Sequence, residues 1–235
     1  MTAWPTAGRT VVEWTPREGL PVVEDWLSAE EVSRWHRQIA PSGLRWAAAR
    51  CWVRARLAVR LGCDPRSVPI SVDAQGRPRL DGALRSGDLN ISHTDSVLVL
   101  AVSAERVGVD VEEPPPVDED LLVLARVVAT PAELEQLRAV EPAGRASAFQ
   151  RWWVRKEAVL KADGSGFLRD PRLVHVGVTQ VQAPEPWVVT DLGELRDASS
   201  TLAWPRTLLA TASPRPVPVD PPQVVRSGHR TPPVC

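Results

Sequence analysis

The sequence predicts an α+β protein made of two halves, each a group of helices with an antiparallel-type sheet. Three observations carry this. Short β-like runs (VPISV at 68–72, LNISH at 89–93, VLVLAVS at 97–103 and RVGVDVE at 106–112) follow two helical stretches instead of alternating singly with them. A proline-rich acidic break, EEPPPVDED at 112–120, is followed by a second set of helices and then strands. No GxGxxG or GxxxxGKS phosphate loop occurs anywhere in the chain. The expected division is residues 1–112, residues 113–213, and a disordered proline-rich tail from 214 to 235.

The elements follow in order. TVVEWT at 10–15 alternates as a first strand, and Asp25 or Ser28 is placed to cap a helix reaching about Ala40. The stripe Leu44, Ala48, Cys51, Ala55 and Ala58 predicts a helix from Ser42 to Leu61, ended by Gly62. The runs 97–103 and 106–112 are separated by Ala104-Glu105 and read as a hairpin. Past the break, helices are expected at 118–128, at 131–140 behind Thr130 and Pro131, and at 145–163 before Gly164-Ser165-Gly166. Strands are expected at 173–182, 186–192 and 207–213.

With 43% hydrophobic and 24% charged residues, the composition of this 235-residue chain excludes dominant disorder. A net charge of −1 excludes nucleic-acid binding by global charge. There is no apolar run long enough for a membrane span, and the first residues lack the pattern of a secretory leader. Three scattered cysteines argue against a disulfide framework and suit a reducing cytoplasm. Of the 28 basic residues, only Lys156 and Lys161 are lysines. Where arginine is the default cation, a retained lysine points to a need for a compact point charge.

Several residues carry candidate chemistry. In a strand, Asp110 and Glu112 face one way while Val109 and Val111 face the other. Two carboxylates so close repel by about 4 kcal/mol at an effective dielectric near 20, and a hard cation relieves this; a solvated strand end is the plainer alternative. On a helix, Trp153, Glu157 and Lys161 share a face, either as a surface ion pair or as a carboxylate beside a phosphate-neutralising cation. Ser92-His93 ends a strand, and Gly76-Arg77-Pro78 presents an arginine on a turn; each is structural or contacts an anion. The arginine-rich region containing Arg34 and Arg45 is a solvated face, an anion site, or a dock for an acidic partner.

Together, NISHTDSVLVLAVSAERVGVDVE and, about 40 residues later, WWVRKEAVLKADGSG resemble the paired signature of the 4′-phosphopantetheinyl transferases. The length and two-half plan resemble the surfactin-synthetase-activating type, over roughly residues 25–213. Gly76-Arg77-Pro78 and Thr130-Pro131-Ala132-Glu133 match further family blocks. The resemblance implies two halves related by a pseudo-twofold, with the active site in the cleft between them. It implies that Asp110, Glu112 and Glu157 hold Mg²⁺ (Mn²⁺ being the alternative) on the pyrophosphate of coenzyme A. Glu157, or a metal-bound water, would deprotonate the serine of an acyl or peptidyl carrier protein. Lys161 would stabilise phosphate charge and His93 would assist at the phosphate. The implied coenzyme A contacts are Arg34, Arg45, Arg77, Pro78, Ser92, His93, Lys156 and Lys161. A monomeric cytoplasmic enzyme of polyketide, nonribosomal peptide or fatty acid assembly follows, with no nucleic-acid or membrane partner. Leu89, Thr94, Ala129 and Val154-Arg155 depart from the family pattern, at positions of packing and carrier contact. The rival expectations are a non-catalytic coenzyme A or carrier-binding module, and a nucleic-acid binder using the helix at 45–60.

Overall fold

The computed structural model describes residues 4–5, 8–82, 87–115, 120–165, 169–195, 208–214 and 218–226. Strand β1 (Thr10–Pro16) is followed by helices α1 (Ala29–His36) and α2 (Ser42–Leu61), a small hairpin β2 (Ile70–Val72) and β3 (Pro78–Leu80), and strands β4 (Asp88–His93), β5 (Val97–Ser103) and β6 (Gly108–Glu112). Helices α3 (Leu121–Val128), α4 (Pro131–Ala139) and α5 (Pro142–Asp163) precede β7 (Val188–Glu194), β8 (Leu208–Ser213) and β9 (Gln223–Val224). The mixed α+β class is as expected. Ser28 caps α1 in a capping box with Glu31, and Gly62 ends α2 in the left-handed conformation at φ 65°. α1 stops at His36, short of the expected Ala40.

The described strands form two main sheets, ordered β4-β5-β1-β9 and β6-β8-β7. Strand β5 shows how they stack. Its Val97, Val99 and Ala101 join Val107, Val109, Val111 and Leu209 in a core between the sheets. Its Leu98, Leu100 and Val102 pack the other way, against Trp52, Val53 and Leu57 of α2. Helix α5 covers the far face of the second sheet, with Trp152, Ala158 and Val159 against Ala210 and Ala212. The order of layers is therefore α2, first sheet, second sheet, α5.

Three expectations are corrected. Strands β5 and β6 are not a hairpin: β6 pairs antiparallel with β8, so residues 104–107 carry the chain from one sheet to the other. Side chains of β4 take over part of the missing ladder. Asp88 accepts from the Val107 amide at 2.9 Å, and Asn90 from the Val109 amide at 2.8 Å.

The run 173–182 is not a strand. Val174, Val176 and Val178 are all buried, which explains the alternation. Their polar backbone is met by side chains instead: Glu133 and Gln136 accept from the Val176 and Val178 amides, both at 2.8 Å. Arg155 donates to the carbonyls of Gly177 and Val178.

The segment past Pro214 is not simply a tail. β9 pairs in parallel with β1, Glu13 opposite Gln223 and Trp14 opposite Val224, and so covers a sheet edge. Trp52 Nε1 donates to the Val225 carbonyl at 3.3 Å. No helix among the described residues is long and apolar enough to cross a membrane.

Candidate active site

Strand alternation puts Gly108, Asp110 and Glu112 on the face of β6 opposite Val109 and Val111, towards α5. Gly108 permits the approach. A Cβ there would be driven into the Ala158 carbonyl and the Ala162 amide of α5. Gly108→Ala is therefore expected to push α5 off β6. We expect a loss of about 1–3 kcal/mol in stability, visible as a lower midpoint in denaturant; an unchanged midpoint would mean that the contact is relieved without cost.

With α5 at this distance, Lys161 Nζ donates to Asp110 Oδ1 at 2.6 Å and to Ser92 Oγ at 2.8 Å. Ser92 Oγ in turn donates to the same Asp110 oxygen at 2.8 Å. β4, β6 and α5 thus meet at one buried carboxylate. Its other oxygen, Oδ2, is buried with no hydrogen-bond partner among the described residues, and so is Glu157 Oε1, one turn before Lys161. Burial, and next the charge of Asp110, push both Glu112 and Glu157 up to about 7. Trp153 lies on the same face of α5, and Gln150 donates to the Glu112 carbonyl at 2.8 Å.

These carboxylates fit a hard divalent cation by donor type, and the two orphaned buried oxygens mark where its ligands would come from. They are not drawn into a closed cage: no three ligand-type side chains among the described residues stand at metal-binding spacing.

Around this centre, His93 lies exposed at the end of β4, its Nδ1 3.3 Å from Arg17 Nη1. Desolvation, then the charges of Arg17 and Lys161, hold its pKa below the usual histidine value. Arg17 also donates to the Thr94 carbonyl, and Arg45 pairs with Asp95 at 3.1 Å. Arg17, which lies in no sequence motif, therefore joins Arg45 and His93 at one rim. Arg34 is exposed, its guanidinium 4.9 Å from the centre of the Trp46 ring. A cavity of about 650 Å³ opens on the other side of Lys161, lined by Gly76, Arg77, Pro78, Asn90, Leu160 and Ser165 among others.

Two of the expected coenzyme A contacts are engaged within the protein. Lys156 is fully buried on another face of α5, bound to Glu133 at 2.7 Å and to the carbonyls of Val128 and Pro171. Five residues of helix put it about 140° round from Lys161. Arg77 is 7% exposed and turned inward, with Asp88, the Val107 carbonyl and the Lys161 carbonyl as partners.

The model of the 4′-phosphopantetheinyl transferase superfamily matches residues 106–203, the stretch that contains Asp110, Glu112, Glu157 and Lys161. A putative 4′-phosphopantetheinyl transferase of Synechocystis is 34% identical over 155 residues, 65% of this chain and 63% of that relative. Residues 106–203 belong to the 4′-phosphopantetheinyl transferase superfamily. Within that superfamily, the 4′-phosphopantetheinyl transferase HetI of Nostoc is 34% identical over 158 residues, 66% of each chain. The 4′-phosphopantetheinyl transferase Sfp of Bacillus subtilis is 25% identical over 114 residues, 48% of this chain and 49% of that one. The matched segments thus fall short of two thirds of the relatives' own lengths.

Proposed function

We propose that this chain transfers the 4′-phosphopantetheine arm of coenzyme A to a serine of an acyl or peptidyl carrier protein, in the manner of the surfactin-synthetase-activating type. The observation that carries this is Asp110, buried between Lys161 and Ser92 with one carboxylate oxygen unclaimed. The serine oxygen attacks the phosphorus that bears the pantetheine arm. The bond from that phosphorus to the bridging oxygen breaks, and adenosine 3′,5′-bisphosphate leaves. No covalent enzyme intermediate is needed, so the protein's task is positioning and charge neutralisation.

Asp110, Glu112 and Glu157 are the proposed holders of Mg²⁺, which when bound would neutralise the pyrophosphate. Lys161 offers an ammonium already oriented by Asp110 and Ser92 to the phosphate oxygens. Glu157, or a water on the cation it would hold, is the proposed acceptor of the serine proton. His93, Ser92, Arg45 and Arg34 are the proposed contacts to coenzyme A phosphates, with Pro78 at the nucleotide end. We propose that the cleft between an N-terminal half to residue 112 and a C-terminal half from 113 holds the substrate. The arginine-rich first half complements an acidic carrier surface.

Intact-protein mass spectrometry tests the reaction. The chain, an apo carrier domain, coenzyme A and MgCl₂ are expected to yield a carrier heavier by one phosphopantetheine group, lost with EDTA and with Glu157→Gln. Coenzyme A binding without any mass gain across several carriers would favour a non-catalytic binding module.

A second test reads the cation without turnover. Glu112 and Glu157 move from 4.5 to about 7 on folding, so the folded state binds the extra protons between those values. Their contribution to stability is therefore present below pH 4.5 and lost as pH rises through 7. A cation bound to the ionised pair reverses that loss and releases protons. Mg²⁺ at about 100 times its dissociation constant at pH 8 is expected to add about 2.7 kcal/mol, roughly 5–10 °C in Tm. At pH 6, with each carboxyl about one-tenth ionised, the shift is expected to shrink to about 1–2 °C. Equal shifts at both pH values would count against these ligands.

A further inference from the structure

We propose that Arg77 is a positioning residue for Lys161, and that with Arg106 it forms a clamp on the last turn of α5; the inference rests on the transferase reading above. The helix ends at Asp163, with Gly164 left-handed at φ 81° and its amide on the Leu160 carbonyl. The next three carbonyls would be orphaned in an ordinary helix end. Here two arginines from outside the helix take all three. Arg77 Nη1 donates to the Lys161 carbonyl. Arg106 donates from Nε to Ala162 at 2.7 Å and from Nη2 to Asp163 at 3.1 Å. A Cβ at Gly164 would displace the Arg106 guanidinium.

Arg77 is itself fixed. Its Nη2 meets Asp88 at 2.5 Å, the Val107 carbonyl at 2.7 Å and the Leu89 carbonyl at 3.3 Å. Asp88 also holds the Val107 amide at 2.9 Å. Four acceptors spread around one guanidinium suit its planar fork, and a lysine cannot reach them together. The clamp thus ties the end of α5 to β4 and to the crossover that leads into β6. These are the two strands whose Ser92 and Asp110 receive Lys161 Nζ. Lys161 is held at both ends: its backbone by Arg77, its ammonium by Ser92 and Asp110. Without Arg77 the last turn loses its anchor, and the ammonium loses its fixed origin. The alternative is direct contact with the nucleotide, for which Arg77 still has Nε, a buried donor with no partner among the described residues.

Kinetics separate the two. Arg77→Met in the full chain is expected to lower kcat on the order of 10–100-fold, with KM for coenzyme A changed less than about 2-fold. Acting through Lys161, it should cost nothing further in a Lys161→Ala background, because residues that work as a unit are non-additive. Losses that multiply, or a KM raised about 10-fold at unchanged kcat, would overturn the proposal. Arg77→Lys keeps the charge against Asp88 and carries the same expectation if Arg77→Met fails to fold. Amide hydrogen exchange across 161–165 needs no substrate. Arg77→Met should speed it about 10-fold or more there, with no matching change in β5. Unchanged exchange would overturn the clamp even if the wild-type chain transferred nothing, an outcome that would overturn the transferase reading by itself.

Discussion

Asp110→Asn is expected to cut phosphopantetheine transfer on the order of 10³-fold while leaving the fold intact. The side chain is 3% exposed and its Oδ1 holds both Lys161 and Ser92. Asparagine has the same shape and keeps an acceptor for those two donors. What changes is Oδ2, the buried oxygen with no partner among the described residues, which becomes an amide group that no cation accepts as a ligand. The buried amide costs about 1–3 kcal/mol if it finds no acceptor. Against this stands a gain, because the charge of Asp110 is one of the causes that hold Glu112 and Glu157 up at about 7. Removing it lets both fall towards 4.5 and relieves repulsion among three carboxylates at alkaline pH. The two effects are of similar size, so Tm at pH 8 should stay within a few degrees of the wild type. The Mg²⁺-dependent rise in Tm should disappear. Turnover near the wild-type rate would remove Asp110 from the chemistry. A loss of turnover that merely tracks unfolding would make its role structural.

The parts of this fold that were legible in the sequence are those fixed by local geometry. A short apolar run gave β5, whose alternating side chains go to two different cores. The same alternation puts Asp110 and Glu112 on one side of β6, and helical spacing puts Trp153, Glu157 and Lys161 on one side of α5. The capping pattern of Thr130 and Glu133 is also local, and the capping box forms. What failed was pairing. A two-residue link between strand-like runs reads as a hairpin, yet β6 pairs with β8, about 100 residues on. Asp88 and Asn90 satisfy the Val107 and Val109 amides from the next layer, which no local pattern announces. Likewise Val174, Val176 and Val178 alternate because they are buried, and alternation says nothing about whether a partner strand exists. Arg77 shows a third limit. A turn motif states that an arginine is present, but the inward fork is set by Asp88 and by the end of α5.

Lys156→Met is the substitution expected to cost most stability, about 3–5 kcal/mol, or roughly 6–20 °C in Tm. The ammonium has three donors and meets three acceptors: Glu133 at 2.7 Å, Val128 at 3.0 Å and Pro171 at 2.9 Å. Both Lys156 and Glu133 have side chains 0% exposed. Glu133 meanwhile binds the amides of Thr130 and Val176, each at 2.8 Å, so this one pair joins α4, α5 and the irregular segment before β7. Burial alone would push Glu133 up; Lys156 and the Val176 amide outweigh it and hold the carboxyl below the usual glutamate range. Its contribution to stability is therefore present above the unfolded value of 4.5 and lost as pH falls through the folded one. Without Lys156 the carboxylate is buried and uncompensated, so the variant should recover towards the wild type as pH falls, and Lys156→Met/Glu133→Gln should regain part of the loss at pH 8. Lys156→Arg should not rescue it. A planar fork replaces a compact ammonium in a site without spare volume, and overpacking adds about 1–3 kcal/mol. Urea midpoints at two pH values check both claims. KM for coenzyme A, measured below the lowered Tm, should stay at the wild-type value, since Lys156 faces away from Lys161. A KM that rises with the stability held would return Lys156 to the substrate site. In a chain with 26 arginines and two lysines, this site explains one of the two by geometry alone.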